Sequence, residues 1–463
     1  MTTEEALLQN THPALLNDDD LFIKPVKKHK ILFLSDHQLA PSGVGVQARF
    51  LIDGLIKTGR YTFRCLGGAM QHTNYNAITV NPDFIIKPVD GFGTKEMIKS
   101  LLISERPDAV FLFTDPRQFI WLWEMEDEIH QICPIVYWHV WDNDPYPKFN
   151  GAWYQATDLI NCLAYKTYEL IKPNFPDKTF YIPHAFPKEV FYPLPPDKLA
   201  ELKSSNFGDR KDWFKALWVN RNATRKMPAD LLACWKQFVD RLEAKHGHRN
   251  ALLIMHTDPK DREGPDLLAV TEGLGLQENV WFSADKLDFE KMNMLYNVVD
   301  TYVNIAKNEG FGLGTLTSLQ VGKPVVALAT GGETSKVIDP LDGSENGVAI
   351  KPIKRCLVGS QLVPYIYEDY AGDEDVINGF MKIYEMSPEE KEKMSQKVTA
   401  FVDREFNFNK MVDAWDKTME KCIIDYKAKL ENTTGNWSLT TLNPIINADA
   451  ALLKDTNDRG QEK

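Results

Sequence analysis

At 463 residues, the chain exceeds the size at which a single hydrophobic core stops growing and points to two domains of about 200 residues each. Its 43% hydrophobic and 25% charged residues are ordinary globular composition and exclude a disordered or fibrous chain. The net charge of −12 leaves neither half with the cationic excess that nucleic-acid or anionic-lipid binding requires, so nucleic acid is not an expected partner.

Residues 1–25 read as a polar arm. Their acids (Glu4, Glu5, Asp18, Asp19, Asp20) stand where a secretory leader needs basic residues. No stretch approaches the ~18–20 apolar residues of a membrane span. The expectation is a soluble, cytoplasmic protein. The six cysteines (Cys65, Cys133, Cys162, Cys234, Cys356, Cys422) are widely spaced with no CxxC pair, and read as lone buried thiols.

Lys30–Ser35 is a short apolar run of buried-strand type, followed by a helical pattern over Val46–Lys57. Further strands are expected at Tyr61–Leu66, Ala109–Phe113, Ile135–Val140, Leu159–Ala164 and Phe180–Ile182, with helices between several of them. Such alternation predicts a parallel sheet covered on both faces. Ile182–Pro196 holds five prolines, which forbid regular structure and mark a stiff linker. Strands then resume at Phe214–Asn220, Ala251–His256, Val280–Ala284, Thr301–Ile305 and Pro324–Leu328, with helices at Pro228–Leu242, Phe289–Tyr296 and Gly314–Val321. Late helices fit Pro388–Asp403 and Asn409–Leu430; the second has Met411, Trp415 and Met419 on one face. The expected divisions are an arm (1–25), two Rossmann-like domains (26–198 and 199–405), a final helix (406–432) and a polar tail (433–463).

Four motifs carry chemistry. In the first, a strand ends at Asn304, Glu309 follows, and Gly310-Phe311-Gly312 opens a helix. Glycines there allow close backbone approach, and the helix start offers free N–H groups and a positive dipole end to a phosphate or sugar oxygen. In the second, Arg221 and Lys226 follow a strand end, placed for a diphosphate. The third is Gly43-Val44-Gly45. About seven residues separate it from the first strand, too many for a dinucleotide fingerprint, so it reads as a longer loop overhanging a cleft. In the fourth, His139 ends a strand and could bond a substrate hydroxyl, with a structural histidine as the competing reading. The adjoining Asp142-Asn143-Asp144 spells a DxD but reads as a turn rather than a metal site.

In this order the motifs resemble the retaining GT-B glycosyltransferases of family 4. The resemblance spans about Lys30 to Cys422 and includes Ile182–Pro193, Leu295–Leu313, Gly322–Val326 and the Gly331-Gly332 pair. It implies an α/β GT-B fold with the last helix crossing back to the first domain. It also implies transfer of a sugar from a nucleotide-diphosphate sugar to a hydroxyl acceptor, with retention and with no cofactor or metal. Arg221 and Lys226 would neutralise the pyrophosphate and Glu309 would bond the donor sugar. Amides of Gly310, Phe311, Gly312 and Leu313 would touch sugar or phosphate. Gly43 and Gly45 would admit the diphosphate, and His139 would contact the sugar near its reacting carbon. Departing diphosphate charge calls for such cations and helix dipoles.

The chain departs from the family at Thr317, whose hydroxyl is expected to bind the donor by bonding the ribose where a second acid usually does, and at Ala306 and Gly314. The insert Lys351–Gly372 matches no family element. A nucleotide-sugar epimerase or hydrolase, a transferase acting on hydroxylated DNA bases, and a silent sugar-nucleotide binder are the alternatives.

Overall fold

The computed structural model describes residues 27–433. The expected arm 1–25 and the tail beyond Thr433 lie outside them.

The first lobe is built on an eight-stranded sheet, β1 (His29–Asp36), β2 (Tyr61–Gly68), β3 (Ile78–Asn81), β4 (Phe84–Pro88), β5 (Ala109–Thr114), β6 (Ile135–His139), β7 (Leu159–Cys162) and β8 (Thr179–Tyr181). The order is β3-β4-β2-β1-β5-β6-β7-β8, parallel throughout except for the antiparallel β3–β4 edge. The second lobe carries a six-stranded parallel sheet in the order β11-β10-β9-β12-β13-β14. Its strands are β9 (Phe214–Val219), β10 (Ala251–His256), β11 (Val280–Ser283), β12 (Thr301–Asn304), β13 (Val325–Leu328) and β14 (Gly347–Ile350). Central strands such as β5 are buried along their whole length, as parallel sheets covered by helices require. Strands β3, β4 and β14 go beyond the sequence reading. β3 shows little burial and β14 has only four residues, so neither leaves a periodic signal.

Helix α1 (Gly43–Lys57) corrects the reading of Gly43 and Gly45 as an overhanging loop: both lie in its first turn. Ser42 caps it, accepting from Gly45 N and donating to Asp36 Oδ2 at the end of β1. The connection from β1 is therefore shorter, and the N-terminus of α1 itself faces the second lobe.

The proline-rich segment is irregular up to a helix over Pro196–Phe207, which runs through the expected boundary at 198. The segment is pinned by amide side chains of the second lobe. Asn293 accepts from Tyr192 N, Asn297 accepts from Leu194 N, and Gln320 donates to Phe191 O. One continuous apolar core runs from β1 through this segment into the second lobe.

The last helix (Phe408–Thr433) packs on the first lobe. Trp415 is fully buried against Phe111 and Trp138, and Asp416 accepts from the Tyr61 hydroxyl. Val412 and Phe408 sit where a side chain on Gly54 would be.

The insert forms an antiparallel hairpin, β15 (Lys354–Val358) with β16 (Ile366–Tyr370). It reaches across to the first lobe: Tyr367 N donates to Asp144 O, Asn143 Nδ2 donates to Tyr367 O and Asp369 Oδ2, and Arg355 pairs with Asp144. Among the described residues no helix is long and apolar enough to cross a membrane. Cys65, Cys133, Cys162 and Cys234 are buried free thiols; Cys356 and Cys422 are free and half-buried.

Candidate active site between the lobes

Two loops of the second lobe meet at its sheet's carboxyl edge. After β9 a single turn, Thr224–Lys226, precedes helix α2 (Pro228–His246), whose Pro228 sets its start. Lys307 N donates to Arg225 O and ties this turn to the segment after β12. That segment carries Glu309 and the glycine turn. Gly312 has φ +89°, a conformation that favours glycine, and caps helix α3 (Leu313–Gln320). First-turn N–H groups of α3 have no intrahelical acceptor and face back toward the turn.

Lys226 Nζ lies 2.5 Å from Glu309 Oε2, in a pair that is nearly buried. Asn304 Nδ2 also donates to that oxygen, at 3.4 Å. Glu309 Oε1 carries no hydrogen bond among the described residues. Burial alone would raise the Glu309 carboxyl, but Lys226 and Arg225 outweigh it and hold it below its ordinary range. Among the described residues Arg225 makes no ion pair within 4 Å, and its charge acts on both Glu309 and Asp142.

A second pair lies behind the turn. Glu333 Oε1 accepts from Asn304 Nδ2 and the Thr315 hydroxyl, and its Oε2 is buried against Gly312 without a partner. Lys336 Nζ donates to Gly332 O and sits 4.0 Å over the Phe311 ring. Burial pushes the Glu333 carboxyl above its ordinary range and the Lys336 ammonium below its own, with each group's charge opposing the shift of the other.

The first lobe meets this wall at two places. A Cβ on Gly43 would lie 2.9 Å from Leu313 Cδ1, so the start of α1 touches the start of α3. A Cβ on Gly310 would lie 2.8 Å from Asp142 Oδ1.

Several expected site residues fall together here: Lys226, Glu309, Gly310, Phe311, Gly312, Leu313 and Gly43, with Gly45 in the same first turn of α1. Phe311 points inward, edge-on to His184 and Phe406, so only its backbone faces the turn. Three expectations need correction. Arg221 is exposed and paired with Asp261 and Glu263 on the rim of the lobe, and Arg225 takes the place beside Lys226. His139 is fully buried. Its ring nitrogens bond Val140 O at 3.0 Å and the Tyr154 hydroxyl at 2.7 Å, and burial pushes its pKa down to about 3, which is the structural reading. Thr317 turns its hydroxyl back onto Leu313 O. The DxD acids part company: Asp144 pairs with Lys166 and Arg355, whereas Asp142 faces Gly310.

The sequence signal for Glu333 and Lys336 is their place just after the Gly331-Gly332 pair, and the signal for Arg225 is the Arg-Lys doublet it forms with Lys226.

No family model matches the chain, and neither does any curated protein. Solved structures do. Sucrose-phosphate synthase from Thermosynechococcus elongatus is 14% identical with a TM-score of 0.67, over 86% of this chain and 100% of that one. Anabaena HepE, solved in complex with UDP and glucose, is 14% identical with a TM-score of 0.62, over 85% and 100%. WaaG, a glycosyltransferase involved in lipopolysaccharide biosynthesis, is 13% identical with a TM-score of 0.59, over 84% and 99%. At these identities the shared property is the fold: two Rossmann-like lobes in the GT-B arrangement.

Proposed function

We propose that this protein is a glycosyltransferase that moves a sugar from a nucleotide-diphosphate donor to a hydroxyl acceptor, with retention of anomeric configuration and without a metal. The observation that carries the reading is the Lys226–Glu309 pair beside the glycine turn and the start of α3, with the unpaired Arg225 next to it. Cleaving a sugar–phosphate bond leaves negative charge on the diphosphate. Lys226, Arg225 and the first-turn amides of α3 form a cationic, pre-oriented receptor for it. Glu309, with one oxygen clamped and the other open, accepts hydrogen bonds from the donor sugar. The acceptor oxygen attacks the anomeric carbon as the carbon–phosphate oxygen bond breaks, and the departing phosphate takes the acceptor's proton. HepE has been solved in complex with UDP, with UDP and glucose, and with UDP-glucose, which makes uridine diphosphate sugars the first donors to try.

The test is incubation with uridine, guanosine and adenosine diphosphate sugars, with and without free hexoses, hexose phosphates and glycosides. Transfer is expected, with the donor's configuration kept in the product and activity unaffected by EDTA. Epimerisation, hydrolysis with every acceptor, or no turnover would replace this reading with one of its rivals. Loss of activity to EDTA with recovery in Mn²⁺ would overturn the metal-free mechanism.

A further inference from the structure

One carboxylate in the crevice has no structural employment. Asp142 lies three residues past β6, and its side chain makes no hydrogen bond and no ion pair within 4 Å among the described residues. Its neighbours Asn143 and Asp144 are both committed to the hairpin. That commitment fixes the loop, and Asp142 Oδ1 comes to rest against Gly310 of the opposite lobe. The charged groups around it include Arg225, Glu309 and Lys226 from the second lobe and Asp115 and Arg117 from the first. Burial is the main influence on its carboxyl and raises its pKa. A carboxylate held in such a place without a partner carries a desolvation cost that a bound hydroxyl would relieve.

We infer that Asp142 is the first lobe's catalytic residue, accepting a hydrogen bond from the incoming acceptor hydroxyl and turning that oxygen's lone pair toward the anomeric carbon. The inference rests on the transferase reading above. Asp142 holds the hydroxyl as it docks and keeps its charge through the step: as the phosphate leaves with the old bonding pair, the acceptor oxygen bonds the carbon and its proton turns from Asp142 to the departing phosphate, which takes it. His139, satisfied inside the lobe, takes no part.

The experiment compares the unaltered protein with Asp142→Asn on the donor identified by the screen. It follows transfer and nucleotide release, UDP binding by calorimetry, and thermal melting. Asp142→Asn is expected to melt normally and bind UDP at least as tightly, since it loses a negative charge near the diphosphate receptor. Transfer should fall by about a hundredfold. Asp142→Ser serves the same readouts if the asparagine variant fails to fold. Transfer at the unaltered rate overturns the inference, as does a loss of UDP binding equal to the loss of turnover. A metal-dependent activity that the substitution abolishes would make Asp142 a metal ligand instead. Absence of turnover in the unaltered protein with every donor would sink the transferase reading itself.

Discussion

Lys226 Nζ is paired at 2.5 Å with Glu309 Oε2, so the cation proposed for the diphosphate is held by the acid proposed for the sugar. Ligand arrival must then divide the pair, with Lys226 turning to phosphate oxygens while Asn304 retains Glu309. The cost of opening a nearly buried pair is offset by a ligand that satisfies both partners, which on the proposed function favours a nucleotide sugar over a free sugar.

The arginine that assists Lys226 is expected to be Arg225. Replacing it with alanine should weaken UDP binding about tenfold or more, as for a lost charged hydrogen bond. Arg221→Ala should change binding little, because its pairs with Asp261 and Glu263 are rim contacts in solvent. Calorimetric titration of both variants checks this; the reverse ranking restores Arg221 to the site.

The two glycines in the first turn of α1 should behave oppositely. A Cβ on Gly45 would lie 2.6 Å from His37 O and 2.9 Å from Ala40 O, both backbone, so Gly45→Ala should destabilise the first lobe by about 2 kcal/mol. On Gly43 the obstacle is the mobile end of Leu313, and alanine should be tolerated. Gly43→Leu should leave melting nearly intact yet lower transfer, since it wedges α1 away from α3. Urea unfolding and turnover separate the cases.

The hairpin is expected to clasp the lobes. Asn143→Ala removes donors to Tyr367 O, Asp369 and Thr330 and should cost about 2 kcal/mol, the range for buried partners left unpaired. Arg355→Ala, at a half-exposed pair, should cost less. Denaturant midpoints give the ranking.

Acid should destabilise the protein through His139. Its folded pKa, about 3, lies below the ordinary 6.5 because burial disfavours the charged ring. The unfolded chain therefore takes up the proton first. Stability from this group is complete above about pH 6.5 and falls as the pH drops toward 3, by up to about 1.4 kcal/mol per pH unit. His184, lowered by burial and by Lys336, acts in the same direction. His139→Gln should show a shallower decline between pH 6.5 and 5 than the unaltered protein, measured by urea midpoints.

Taken alone, the sequence settled whatever depends on residues near one another along the chain. The alternating strands and helices, the proline-rich joint and the turn from Asn304 through Glu309 and Gly312 into α3 are all short-range patterns of hydrophobic period, φ freedom and helix start. Tertiary structure alone decided where side chains point and which distant segments meet. Arg221 and Arg225 are equally basic in a linear reading and both are exposed; only the packing pairs Arg221 with Asp261 and Glu263 and ties the turn of Arg225 to Lys307 N, so that the charge of Arg225 acts on Glu309. His139 looks reactive until Tyr154, fifteen residues on, closes its second nitrogen. Residues 351–372 match no local pattern because what gives the hairpin its place is a set of bonds to Asn143 and Asp144, more than two hundred residues away. Such pairings depend on how the chain packs back upon itself, which no window of neighbouring residues encodes.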